Sequence, residues 1–199
     1  MAEPVLHLAS ASPRRREILA TLGVAHSWQG AAVDETPRHG ETDAALVERL
    51  ARAKARAALA SRGSGLPILG ADTIVSLDGQ LFGKAQSREE TLYMLESLSG
   101  RVHRVLTAVA MIAGGREQVA IAATEVRMRA IEPAEALAYW HSGECEGKAG
   151  AYAIQGLGGL FVSSISGSYT GVVGLPVFET AMLLREAGVD LFAGAGVRP

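Results

Sequence analysis

The spacing of apolar residues along this chain changes period several times, and each change predicts an element. Val5, Leu6, Leu8 and Ala9 form a short apolar run that reads as a strand over residues 5–9. Ser12, a capping residue, and Pro13, suited to the first helical position, then open a helix over 13–22 that stops at Gly23. The longest helical pattern covers 42–61, with Leu46, Leu50, Ala53 and Ala57 on one side and Arg49, Arg52 and Arg56 turned elsewhere. Residues 66–79 read as a hydrophobic strand interrupted by Gly70-Ala71-Asp72 and followed by a turn at Asp78-Gly79. Ser87 and Glu90 form a capping-box pattern for a helix ending at Gly100.

Farther along, residues 102–112 and 118–130 predict a β-hairpin around Gly114-Gly115. Its second arm alternates Glu125, Arg127 and Arg129 with Val126 and Met128, so one face meets water. Pro133 starts a helix running to Trp140, residues 160–165 predict another strand, and Pro176 opens a final helix carrying Phe178, Ala181 and Leu184 toward Gly188. Strands interleaved with helices and hairpins predict an α/β fold with a mixed β-sheet and flanking helices. The 199 residues suit one domain spanning 1–199, with a fraying tail over about 189–199.

Composition narrows the function classes. Hydrophobic residues make up 48% and charged residues 20%, as in an ordinary globular protein. A net charge of −2 argues against a nucleic-acid partner held by a broad basic face. No apolar run approaches the ~20 residues needed to cross a bilayer, and no signal peptide is visible, so no membrane partner and a cytoplasmic location are expected. The single cysteine, Cys145, allows no internal disulfide and fits a reducing compartment.

Candidate chemistry gathers first at the turn before residue 13. Ser10 and Ser12 precede a helix N-terminus whose free N–H groups favour an anion, and Arg14, Arg15 and Arg16 follow at once. Three cations in a first helical turn oppose the macrodipole unless an anion sits between them, which marks a phosphate site. Asp72, flanked by Ile68, Leu69, Ile74 and Val75, needs a cation, a metal or hydrogen bonds. Glu35 in VDETP offers a second carboxylate, and two carboxylates facing a phosphate loop are the donor set for Mg²⁺. Lys54 and Lys84 read locally as solvated lysines, although both stand where a cleft wall is possible. The glycines around Gln155 let main chain approach a ligand, without the order of a dinucleotide or Walker loop. His103, His141 and Cys145 lie in no recognisable nucleophile pattern, and Trp140 and Tyr169 read as packing residues.

Taken in order, LASASPRRREIL, VDETP, ARAKARA, LGADTIVSLDG, LSGRVHRVLTAV, KAGAYAIQGLGGLFV and ISGSYTGVVGLPV resemble the Maf family of nucleoside triphosphate pyrophosphatases. The resemblance covers nearly the whole chain. It implies a mixed α/β sheet forming two lobes around a nucleotide-binding cleft, commonly as a homodimer, and a Mg²⁺- or Mn²⁺-dependent house-cleaning hydrolase. Such an enzyme cuts between the α- and β-phosphates to give a nucleoside monophosphate and pyrophosphate. The family's proton acceptor falls on Asp72, its second acid, for metal or water, on Glu35, and both carboxylates are the metal candidates. Its phosphate-binding positions fall on Ser10, Arg14, Arg15, Lys54 and Lys84. Ala85 stands where the family usually has proline after the lysine.

Arg14, Thr73 and Gln155 match the branch acting on dTTP and UTP, and a neutral Gln155 offers donor and acceptor to a pyrimidine edge. The resemblance leaves modified pyrimidine nucleotides open as substrates. The competing readings are the 7-methyl-GTP branch, which tends to carry tryptophan at the arginine position, and a non-catalytic nucleotide-binding regulator of cell division. Glu35, Asp72 and both lysines favour catalysis over the regulator.

Overall fold

In the computed structural model, which describes residues 3–63 and 65–192, the apolar runs settle into a mixed sheet flanked by helices. The strands are β1 (Leu6–Leu8), β2 (His26–Trp28), β3 (Ile68–Leu77), β4 (Gln80–Phe82), β5 (Val102–Ala113), β6 (Arg116–Met128) and β7 (Val162–Ser166). The helices are α1 (Pro13–Thr21), α2 (Asp43–Arg62), α3 (Arg88–Leu98), α4 (Pro133–His141), α5 (Tyr169–Val173) and α6 (Val177–Glu186). Strand order is β2-β1-β3-β5-β6-β7, with β4 paired to β3. β1 runs parallel to β2 and β3, whereas the β3–β4 and β6–β7 pairs are antiparallel, so the predicted mixed sheet is present. Among the described residues no helix is long and apolar enough to cross a membrane.

The chain divides into two compact units. The first takes its described residues from Met1–Asp72, Thr107–Ile121 and Gly174–Pro199. Its core joins Leu6 and Leu8 of β1, Leu69 and Ala71 of β3, and Val109 and Met111 of β5 to Leu19 of α1 and Leu183 and Leu184 of α6. Val189 and Leu191 pack against this core; the rest of the expected tail, residues 193–199, lies outside the described residues. The second unit comprises Thr73–Leu106 and Ala122–Val173. Its core gathers Val75, Leu77, Phe82, Leu95, Val126, Met128, Tyr139 and Phe161, with Cys145 buried among them.

Local chemistry explains most of the boundaries. Thr42 caps α2 by accepting from the Ala45 amide, and Ser87 caps α3 by accepting from Glu90, while the Glu90 side chain accepts from Gln86 rather than closing on Ser87. Arg52 and Arg56, turned off the apolar face of α2, both pair with Glu117 of β6. Three further expectations change here. Residues 157–161 form a 3₁₀ helix and the strand begins at Val162, because the amides of Leu157 and Gly158 turn toward the Glu144 side chain. Phe178 is 73% exposed, since α6 buries Thr180, Leu183 and Leu184 instead, and Tyr169 is also exposed.

One glycine controls how α2 meets the sheet. Strand β3 runs unbroken through Gly70-Ala71-Asp72, and a Cβ at Gly70 would stand 2.3 Å from the Ala51 carbonyl oxygen and 2.7 Å from the Ala55 amide nitrogen. Helix α2 therefore lies backbone-close on β3, through a face of Ala51, Ala55 and Ala58. Gly70→Ala is expected to lower stability by about 1–3 kcal/mol, the range for overpacking against an unyielding neighbour. The midpoint of urea unfolding measures it, and an unchanged midpoint would refute the close approach.

In the second unit His103 is buried, with Nε2 2.8 Å from the Tyr152 hydroxyl. Burial pushes its pKa down from 6.5 to about 4. Between those values the unfolded chain takes up a proton that the native state refuses, so stability falls as pH drops through the window. The loss approaches about 3 kcal/mol at pH 4, and His103→Gln should remove that part of the slope. Urea titrations at pH 7 and pH 4.5 on both proteins test this; parallel slopes would exclude His103.

Candidate active site

The turn between β1 and α1 builds the first part of the site. Ser12 is the N-cap in extended conformation and Pro13 the first helical residue, as the pattern predicts. The Ser12 side chain makes no cap hydrogen bond; its amide donates instead to Ser10 Oγ at 3.2 Å. Arg15 is buried, and its guanidinium donates from Nε to the Gly174 carbonyl (2.8 Å) and from Nη1 to Ser10 Oγ (3.0 Å) and the Ala71 carbonyl (2.9 Å). Burial pulls the Arg15 pKa below its ordinary value, Asp72 and Glu35 oppose that shift, and Arg14 adds to it. Half-buried Arg14 shifts the same way by burial, with Glu17 opposing. Arg16 lies over the Trp28 ring, 4.0 Å from its centroid, so the three arginines do not act as one charged face.

The second part lies where α2 rests on β3. Gly70 and Asp72 are two residues apart and share a face of the strand, toward α2. The close approach at Gly70 brings Lys54, the neighbour of Ala55, onto Asp72, and Lys54 Nζ stands 2.5 Å from Asp72 Oδ1. The same Nζ is 2.6 Å from Glu35 Oε1. Lys54 is only 8% exposed and Asp72 only 7%, so the solvated lysine expected from local pattern is instead a buried counter-ion. A buried ammonium is tolerated only with such partners. Asp72 directly follows Ala71, whose carbonyl binds Arg15, so the arginine turn and the carboxylates meet on adjacent residues of one strand.

Glu35 comes from an irregular segment, and its side chain is 50% exposed. Two carboxylates converging on one cationic centre fit a divalent ion whose remaining positions are filled by phosphate oxygens. Among the described residues no group of three or more His, Cys, Asp or Glu side chains stands together, so substrate oxygens would have to complete such a set.

The remaining expected residues belong to the second unit. Thr73, half-buried, points to the opposite face of β3 from Asp72. Lys84 is exposed, and its main chain bridges to Ala149, which sets the start of the glycine-rich stretch beside it. Gln155 is exposed as well, and the loop carrying it is clasped from both ends. Glu144 accepts from the amides of Leu157 and Gly158 at 2.9 Å and from the Tyr139 hydroxyl, while the Ala153 amide donates to that same hydroxyl at 3.0 Å. A Cβ at Gly156 would collide with the Glu144 carboxylate, which accounts for that glycine. Partial burial raises the Glu144 pKa, but the Gly158 and Leu157 amides and Tyr139 outweigh it and hold the carboxyl below its usual value. Sequence reasoning overlooked Glu144 and also Arg49, which grips the segment carrying Glu35. The available signal was only that an acid precedes a glycine-rich turn and an arginine leaves the apolar face of a long helix.

The matches to relatives by sequence cover nearly the whole chain. The chain is 51% identical over 194 residues to a protein of Bordetella parapertussis named dTTP/UTP pyrophosphatase, covering 94% of each chain. A protein of Alkalilimnicola ehrlichii with the same name is 47% identical over 192 residues, covering 94% of this chain and 95% of the other. Among solved structures, the Staphylococcus aureus Ham1 protein aligns with a TM-score of 0.45 and 15% identity over 62% of this chain and 71% of that one. The model of the Maf-like protein family matches residues 5–187, and with that reach and the identity to its relatives this chain belongs to the Maf family.

Proposed function

We propose that this chain is a divalent-cation-dependent nucleoside triphosphate pyrophosphatase that hydrolyses dTTP and UTP to the monophosphate and pyrophosphate. The observation that carries the reading is the Asp72–Lys54–Glu35 cluster, with Asp72 and Lys54 buried, built on the strand residue next to the one Arg15 binds. The names of relatives sharing about half their residues with this chain supply the substrates.

The chain's residues divide the work as follows. Ser10, Arg14 and the helix N-terminus receive the phosphates, while Arg15 holds that turn against β3. Water adds at phosphorus, the bond between the α- and β-phosphates breaks, and Asp72 takes the proton of the attacking water. Lys54 stands between the two carboxylates and offsets the charge that builds on the transferring oxygens. Glu35 and Asp72 would hold the cation, Mg²⁺ or Mn²⁺, which when bound neutralises phosphate charge and lowers the pKa of water. Lys84 adds charge for the phosphates; Gln155 and Thr73 read the base, and the donor–acceptor amide of Gln155 suits a pyrimidine edge. A cytoplasmic homodimer belongs to the same reading, by family resemblance.

A panel of dTTP, UTP, CTP, 7-methyl-GTP and the purine triphosphates with Mg²⁺ or Mn²⁺, read by monophosphate and pyrophosphate release, tests the assignment. Turnover of dTTP and UTP is expected; turnover of 7-methyl-GTP alone would reassign the branch, and none at all would leave the nucleotide-binding regulator. Asp72→Asn keeps an oxygen for Lys54, so it should fold while kcat drops by about 10²–10⁴-fold. Wild-type kcat in that variant would remove Asp72 as the base.

A further inference from the structure

Residues 29–42 contain no helix or strand, and Glu35 in their midst is half exposed, so the main chain that carries its carboxylate to Lys54 is not part of a hydrogen-bond ladder. Arg49 of α2 grips that main chain. Arg49 donates from Nη2 to the Thr36 carbonyl at 3.0 Å and from Nη1 to the Asp34 carbonyl at 3.4 Å, the residues immediately after and before Glu35. The guanidinium is itself locked by Glu41, with Nε to Oε1 at 2.6 Å and Nη2 to Oε2 at 2.8 Å. Glu41 Oε2 also accepts from the Arg38 amide at 3.0 Å, and the Thr36 amide closes on Asp34 Oδ1 at 3.0 Å. The Arg49 hydrogen bond holds the Glu41 carboxyl down at about 2, so the lock is charged at neutral pH.

We propose that Arg49 is a positioning residue for Glu35: its fork, held by Glu41, fixes the main chain on both sides of Glu35 and so sets where that carboxylate stands beside Lys54 and Asp72. This rests on the reading that Glu35 serves the hydrolysis. Helix α2 then supplies both the clamp and, through Lys54, the ion that Glu35 meets. A lysine at 49 keeps the charge but has no planar fork, so it cannot satisfy a carboxylate edge-on and two carbonyls together.

The test compares wild type, Arg49→Lys, Glu35→Gln and the double variant in dTTP turnover, with amide hydrogen exchange over residues 33–41. Arg49→Lys should speed exchange there and lower kcat by about 10–100-fold, the range for outer residues that orient a metal-site ligand, with KM little changed. Once Glu35 is glutamine, the same substitution should cost less than about twofold, because a residue acting only through Glu35 has nothing left to position. Glu41→Gln, which frees the fork without altering α2, should give the same pattern at smaller size. Equal loss in both Glu35 backgrounds would mean a general structural role and overturn the proposal, as would unchanged exchange in an active enzyme. A wild type that turns over no nucleotide overturns the pyrophosphatase reading itself, and the role of Arg49 with it.

Discussion

The backbone-close contact of α2 on β3 at Gly70 is the constraint from which the site follows. A side chain at that position would push the helix outward, and Lys54 would leave Asp72 with it. Helix and strand are rigid on the scale of a hydrogen bond, so the distance between a helix-borne ammonium and a strand-borne carboxylate is set by how closely their backbones pack. The alanines of α2 are therefore part of the chemistry, although none of them carries a polar group.

Charge balance is the second constraint. Asp72, Lys54 and Arg15 are all largely removed from water, and each is affordable only because a neighbour compensates it. Arg15 spends Nε and Nη1 on two carbonyls and Ser10, which makes it a strut between α1 and β3. Lys54 is shared by Asp72 and Glu35, and Arg15 lies within electrostatic reach of both, so two carboxylates face two cations. Each buried charge in the set thus has an opposite charge or hydrogen-bond acceptors beside it.

Much of this was legible in the chain. The strand, capped turn and helix at the start, the long α2, the Asp78-Gly79 turn and the hairpin at Gly114-Gly115 all carry local signals of period or turn chemistry, and they appear where those signals put them. Asp72 announced itself as a charge in an apolar run. The partner of Asp72 did not: the expected apolar side of α2 took in Ala53 and Ala57, whereas the helix buries Val47, Ala51, Lys54, Ala55 and Ala58 with Leu46 and Leu50, a rotation set by the close packing at Gly70. The 3₁₀ turn at 157–161 and the clasp by Glu144 were equally hidden, since both come from hydrogen bonds between segments rather than from neighbours in sequence. Phe178 shows the converse limit: its spacing fits a helix, but which face is inward is decided by what α6 meets.

The two acids are held in different ways, and the difference suits the different tasks that the proposed function gives them. Asp72 sits in the middle of a ten-residue strand, so its position is inherited from the sheet. A group that must meet a proton at a set place gains from that rigidity. Glu35 stands on irregular chain, where small movements of main chain carry the carboxylate with them. A group that must admit a nucleotide, share an ion with it and release both gains from limited freedom, provided the freedom has bounds. The fork of Arg49 supplies those bounds: it grips the carbonyls on each side of Glu35, while the side chain itself meets Lys54.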